Sequence, residues 1–405
     1  MRRYFLLFVI ILAALGSLSV SAQEVEDTIK IKTRVVFLDA LVKDKKTNLP
    51  ISTLTQENFE VLDEGKPRNI SYFTREGQAR KPLALILILD LREDGAGRFM
   101  KQPEILKAME DELAKLPAGD EVAIMAMNIN EDEARVWLTE FTNDRAKLAA
   151  ALARVPAMCQ PKDESAVSSA AQKIQDTGAK PDDVLSTETV QGRNGSTVTR
   201  ETRRDGGVNV KRMDKHGHVT IDLGDVYDMA AAVRDATRKA EELRPNSQTS
   251  IVWVSDGIAP IFFEDRDATE QILIRNNVIF NSLTVELRTL FKFLLPVAKP
   301  IGGWLGMSLY GSAKYLAQRS GGEAVKVGRV KDYGAGLSKI IGNLTARYSL
   351  GFALAENETD DGRMHALEVR VKAKDDKGKN RKLQVSSRQG YYMSTTVPKE
   401  AARAQ

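Results

Sequence analysis

The chain has 405 residues, enough for two domains, and at 42% apolar and 28% charged it has the balance of ordinary globular protein. With 59 Lys and Arg against 55 Asp and Glu, it lacks the dense positive face of a dedicated nucleic-acid binder. A single cysteine, Cys159, excludes an internal disulfide and a cysteine-rich zinc site, and three histidines leave little material for metal-hydrolase or Ser-His-Asp chemistry.

Arg2 and Arg3 precede an unbroken apolar run from Phe5 to Leu15, and Val20-Ser21-Ala22 then supplies small residues. That is the layout of a cleaved export signal. The run falls short of the roughly 20 apolar residues that a membrane span requires. The expectation is a signal peptide over residues 1–22 and a mature chain from Gln23 that is exported, periplasmic or secreted, with no integral membrane span.

Residues 23–78 read as short strands. Ile31 to Val42 is rich in β-branched and apolar residues, Phe59 to Leu62 is a second strand, and Asn69 to Phe73 a third. Gly65 and Pro67 mark a turn between the last two. A β segment this small cannot bury a core alone, so it must find partners elsewhere in the chain.

From residue 79 the pattern changes. Leu83 to Leu89 is a continuous apolar run ending at Asp90, which is how a strand buried on both faces of a parallel sheet reads. A helix follows with Ile105, Met109, Leu113 and Leu116 on one face, then strands over Glu121–Asn128 and Ala134–Phe141, and a helix over Asn143–Val155. Asp225 to Arg244 is the clearest amphipathic helix, with Val226, Met229, Val233, Ala236, Ala240 and Leu243 at steps of three and four. Ser250 to Ser255 is a second buried strand, again followed by an aspartate in Asp256-Gly257. Strands at Val278–Val285 and Glu323–Val327, with a helix around Ala313–Gln318, continue the alternation. It predicts a doubly wound, mostly parallel α/β sheet over residues 79–346.

Residues 158–222 interrupt this domain with a polar, turn-rich insertion read as a short helix and a β-meander. His216-Gly217-His218 within it reads as a solvated turn. Residues 347–393 are strands again, at Tyr348–Leu354, Met364–Ala373 and Leu383–Ser387, and 394–405 are a tail. The late strands are the natural partners of the early ones, which predicts a β-sandwich made from both ends of the chain.

Asp90 and Asp256 stand at the same edge of the predicted sheet, where ligands of doubly wound folds collect. This placement resembles a von Willebrand factor type A domain, which carries a metal-ion-dependent adhesion site there. The stretch Leu54 to Pro67, Ser320-Gly321-Gly322-Glu323, Arg347 to Phe352 and Arg388-Gln389-Gly390-Tyr391-Tyr392 are similar to segments of bacterial exported, acidobacterial-type A-domain-related proteins. The resemblance implies a metal site for Mg²⁺ or Mn²⁺ on that edge, matched here only by Asp90 and Asp256-Gly257, with Asp94 and Asp225 as the further carboxylates able to supply oxygen ligands. Here Leu91-Arg92-Glu93-Asp94 puts Arg92 and Asp94 where the family has two serines, and Leu223-Gly224-Asp225 stands where its threonine falls. A guanidinium satisfies clustered carboxylates directly, so the expectation is a degenerate site with Arg92 in place of the metal and no cofactor.

The segment Arg288 to Tyr310 is rich in apolar residues for a connection, and Phe291 and Trp304 are its candidate partner-binding anchors. The expected function is non-catalytic: binding of a protein or cell-surface ligand, with no nucleic acid involved. The alternatives are a scaffolding subunit of an envelope complex and a hydrolase using the clustered carboxylates.

Overall fold

A computed structural model describes residues 34–75, 81–91, 97–127, 135–158, 184–203, 208–223, 229–285, 306–374 and 377–393. The signal-peptide reading of residues 1–22, the helix read in the first part of the insertion, Cys159 and the C-terminal tail lie outside them. Four strands come first: β1 (Val35–Asp44), β2 (Phe59–Asp63), β3 (Lys66–Arg68) and β4 (Ile70–Thr74). Pro67 was expected in a turn and instead lies within β3, paired with Leu62. As β3 is the edge strand of its sheet, the missing proline N–H costs no ladder bond.

The α/β body then runs β5 (Leu83–Asp90), α1 (Pro103–Ala114), β6 (Glu121–Met127), β7 (Arg135–Thr142) and α2 (Arg145–Ala153). A meander of four antiparallel strands follows: β8 (Val184–Gln191), β9 (Thr197–Arg203), β10 (Val208–Met213) and β11 (Val219–Leu223). The body resumes with α3 (Met229–Leu243), β12 (Gln248–Ser255), β13 (Ile258–Phe262), α4 (Phe263–Arg275), β14 (Ile279–Val285) and β15 (Met307–Tyr310). It ends with α5 (Ser312–Ser320), β16 (Ala324–Val327) and α6 (Tyr333–Thr345). The closing strands are β17 (Tyr348–Ala353), β18 (Met364–Val371), β19 (Leu383–Ser387) and β20 (Gly390–Tyr392).

The central sheet has six strands in the order β16-β14-β12-β5-β6-β7. Five are parallel and β7 runs antiparallel at the edge. All eight residues of β5 are buried, and its side chains alternate between two cores. Leu83, Leu85, Leu87 and Leu89 join the cluster under α1, α2 and α6, whereas Ala84, Ile86 and Ile88 join the one under α3, α4 and α5. Period-two alternation across a sheet covered on both faces is what turns a continuous apolar run into a central strand.

The two ends of the chain meet in two further four-stranded antiparallel sheets, β19-β1-β17-β4 and β20-β18-β2-β3. Their facing residues share one hydrophobic cluster, with Leu38, Leu350 and Phe352 from the first sheet and Phe59, Val61 and Val369 from the second. Both neighbours of β1 come from beyond residue 347. Polar contacts join these sheets to the body. Lys43 pairs with Glu323, Arg347 Nη2 donates to Gly321 O at 2.7 Å, and Arg388 Nη1 donates to Ile274 O at 3.1 Å.

Candidate functional site

Numbered by their order within the central sheet, the strands read 6-5-4-1-2-3, so the chain reverses its winding direction between β5 and β12. In open α/β sheets the place outside the C-terminal strand ends at such a reversal is where ligands collect. The residues there are Asp90 at the end of β5, and Ser255, Asp256 and Gly257 at the end of β12.

The register explains how they meet. Val254 stands opposite Leu89, so Ser255 follows opposite Asp90. The Ser255 hydroxyl donates to Asp90 Oδ2 at 2.6 Å, lies 3.3 Å from Asp256 Oδ1, and accepts from the Gly257 amide at 3.3 Å. Asp90 is fully buried and Asp256 is 5% exposed. Gly257 turns the chain with φ +89°, a conformation that side-chain-bearing residues rarely adopt. From behind, the hydroxyl of buried Tyr333, at the start of α6, donates to the Ser255 carbonyl at 3.0 Å. The edge thus sets two carboxylates around one hydroxyl, which donates to Asp90, with a tyrosine propping the strand end.

Of the residues singled out in the sequence, Asp90 and Asp256 lie beside the Ser255 hydroxyl at this edge. Arg92, Asp94 and Asp225 lie outside the described residues, as do Phe291 and Trp304. Ser255 and Tyr333 were not foreseen. A serine closing an apolar strand carries no periodic signal, and only the in-register pairing of the two strand ends singles it out. Carboxylate and hydroxyl oxygens are the hard donors that Mg²⁺ and Mn²⁺ take, but these cations want about six of them. Asp90, Ser255 and Asp256 supply only part of such a set, and no group of three or more acidic, histidine or cysteine side chains suited to a metal occurs among the described residues.

No protein-family model and no curated protein matches the chain. The chain is similar in part to several solved structures. A von Willebrand factor type A protein from Catenulispora acidiphila is 8% identical, with 82% of this chain and 72% of that one covered and a TM-score of 0.36. The pilus adhesin SpaC from Lactobacillus rhamnosus GG is 8% identical over 83% of this chain and 47% of that one, with a TM-score of 0.34. The SpRpn10 VWA domain is 9% identical over 64% of this chain and 94% of that one, with a TM-score of 0.30.

Beside this edge the meander is fastened to α3 and α4. Because β12, α4 and β14 form a crossover, the first turn of α4 lies at the C-terminal edge of the sheet. Arg200 on β9 makes two parallel bonds to Asp265, at 2.6 and 2.8 Å, and Asp265 is fully buried. Arg212 on β10 donates to Glu264 at 2.9 and 3.2 Å, and the Ser196 hydroxyl reaches the same carboxylate. On α3, Arg234 donates to Glu188 at 2.7 and 3.2 Å and to the Thr269 hydroxyl at 3.1 Å. Burial works to raise the Glu188 pKa, but Arg234 and Arg238 outweigh it and hold the group at about 2. Burial likewise opposes ionisation of Glu264, and Arg212 with Ser196 brings its pKa below the usual range. The α4 face that meets the meander is therefore polar and charged, although it is buried.

Proposed function

We propose that this chain is an exported, non-catalytic protein of the type A kind that binds a protein or cell-surface component through the C-terminal edge of its central sheet. One observation carries the reading. At the point where the sheet reverses its winding, the carboxylates of Asp90 and Asp256 flank the Ser255 hydroxyl, which donates to Asp90. The finer points of the proposal rest on sequence. Membership of the bacterial exported group rests on the motifs from Leu54 to Pro67 and from Arg388 to Tyr392, and cleavage after Ala22 on the apolar leader. The two terminal sheets form its β-sandwich, and Arg92 takes the place of the divalent cation. A scaffolding role in an envelope complex is the second reading, favoured by the rigidly anchored meander beside the same edge.

The test uses the full mature chain and its Asp256→Asn variant as bait on envelope fractions, with melting temperatures measured alongside. The expected result is one captured partner, lost or strongly reduced with the variant while melting is nearly unchanged. Equal capture by both baits would place binding elsewhere. Calorimetric titration with MgCl₂ or MnCl₂ checks the arginine-for-metal reading: a measurable affinity that Asp256→Ala abolishes would overturn it.

A further inference from the structure

With a single cysteine, the chain cannot tie its terminal sheets to the body by a disulfide, but another set of side chains with reactive groups meets at that junction. Lys43 lies on the face of β1 opposite Ala40 and Val42, which belong to the core between the terminal sheets. It is 2% exposed, and its Nζ donates to Glu323 Oε1. Asn343, on α6 and 6% exposed, donates its amide Nδ2 to Glu323 Oε2. Glu323 stands just before β16, with its side chain 14% exposed. Its backbone is pinned on both sides: the amide donates to Asn281 Oδ1 at 2.9 Å and the carbonyl accepts from Ser282 N at 2.9 Å. One carboxylate thus holds, on its two oxygens, an amine and a carboxamide from opposite ends of the chain. A lysine amine is a nucleophile once it has lost its proton, and a carboxamide carbon is an electrophile. A carboxyl group that touches both can carry the proton from one to the other. Burial keeps out water, the competing nucleophile.

We propose that Lys43 and Asn343 join in an intramolecular isopeptide bond, formed once per molecule with Glu323 as the proton carrier. Lys43 Nζ gives a proton to Glu323, which removes both charges from the buried pair. Its lone pair then forms the bond to Asn343 Cγ. Glu323 delivers the proton to Nδ2, and the Cγ–Nδ2 bond breaks. A second proton from Nζ follows the same route, so the nitrogen departs as ammonium. Overall an ammonium and a carboxamide become a secondary amide and an ammonium ion. Atoms and charge balance, nothing is oxidised or reduced, and no co-reactant is required. To react, Nζ must leave Oε1 for Cγ and close to about 3–3.5 Å, a movement within the freedom of the flexible lysine stem. The bond ties β1 directly to α6, and so closes the junction between the terminal sheets and the α/β body covalently.

Mass spectrometry of a tryptic digest of the full chain, unfolded after purification, tests this. Trypsin does not cut after an acylated lysine, so the expected main product is the peptide 35–45 joined to the peptide 340–347 and lighter than the two together by one ammonia. Intact mass does not decide, because Gln23 as a new N-terminus also loses ammonia when it cyclises. The folded variants Asn343→Ala and Glu323→Gln should instead release the peptide 35–43 with a free Lys43. If either variant fails to fold, the digest of the parent chain decides by itself. The proposal is overturned if the parent yields 35–43 and 340–347 as separate peptides, deamidated or not, with the joined pair minor or absent. The three side chains are then a buried polar contact and no more. It is equally overturned if folded Glu323→Gln forms the joined pair to the same extent as the parent.

Discussion

Replacing Arg200 by leucine removes the guanidinium that makes two bonds to a fully buried carboxylate, at 2.6 and 2.8 Å. Asp265 keeps Arg234, whose nearest nitrogen lies 3.7 Å away and whose main partner is Glu188. Breaking a buried pair by deleting one partner typically costs about 3–5 kcal/mol, because the remaining charge is left uncompensated. A Coulomb estimate for charges about 4 Å apart at an effective dielectric constant near 20 gives about 4 kcal/mol, which agrees. With Arg234 still near, the lower end applies, so Arg200→Leu should destabilise by about 3 kcal/mol. The double variant Arg200→Leu/Asp265→Leu removes both charges and should return to within about 1 kcal/mol of the parent. Urea unfolding followed by circular dichroism supplies the four stabilities of the cycle, and hydrogen exchange shows where the loss falls. Amides of β8 to β11 should exchange faster before those of β5 and β12 do, since the meander is what the pair fastens. Single variants each costing under about 1 kcal/mol, with a coupling below about 0.5 kcal/mol, would refute the reasoning.

The acid limb of stability should depend on Glu188. Its pKa in the folded chain is about 2 against an ordinary 4.5, so its ionised form adds stability above pH 4.5 that is lost as the pH falls from 4.5 towards 2. Glu188→Gln should flatten that part of the urea-midpoint profile, and an unchanged slope would count against the Arg234 and Arg238 contacts as its source. Tyr348→Phe deletes a buried hydroxyl that donates to Ile51 O at 2.6 Å and accepts from Leu54 N at 3.0 Å. The expected cost is about 1–3 kcal/mol, with loss of exchange protection at the Leu54 amide. Retained protection there would mean that the Leu54 amide does not depend on the Tyr348 hydroxyl.

What could be read in the sequence, and what could not, follows from where the polar groups went. The Leu83–Leu89 run is a doubly buried strand, and the amphipathic stretch read over Asp225–Arg244 is the helix Met229–Leu243. Both place apolar side chains against apolar cores, so periodicity finds them. Helix α4 has no such signature and was missed. Its buried positions include Glu264, Asp265, Thr269 and Glu270, which meet arginines, hydroxyls and Tyr315 rather than a hydrocarbon core. Buried charge looks like a solvated face until its partners are known. The same holds at the candidate site. Asp90 and Asp256 stood out as acids ending apolar strands, whereas Ser255 gains its role only from the register that sets it beside Asp90.

Strand β1 has a consequence for the order in which the molecule assembles. Val35 pairs with Ala353 and Asp44 with Leu383, so both of its ladders span more than three hundred residues. Contacts this distant in sequence raise contact order and slow folding far more than they lower stability, because loop-closure entropy grows only logarithmically with length. During synthesis the whole α/β body emerges before either neighbour of β1 exists. A polypeptide cut short before Tyr348 has both edges of β1 without their β17 and β19 partners, a template for association with other chains. Closure of the first terminal sheet therefore reports that synthesis has passed Ser387, and anything that reads unpaired strand edges can tell such chains from shorter fragments.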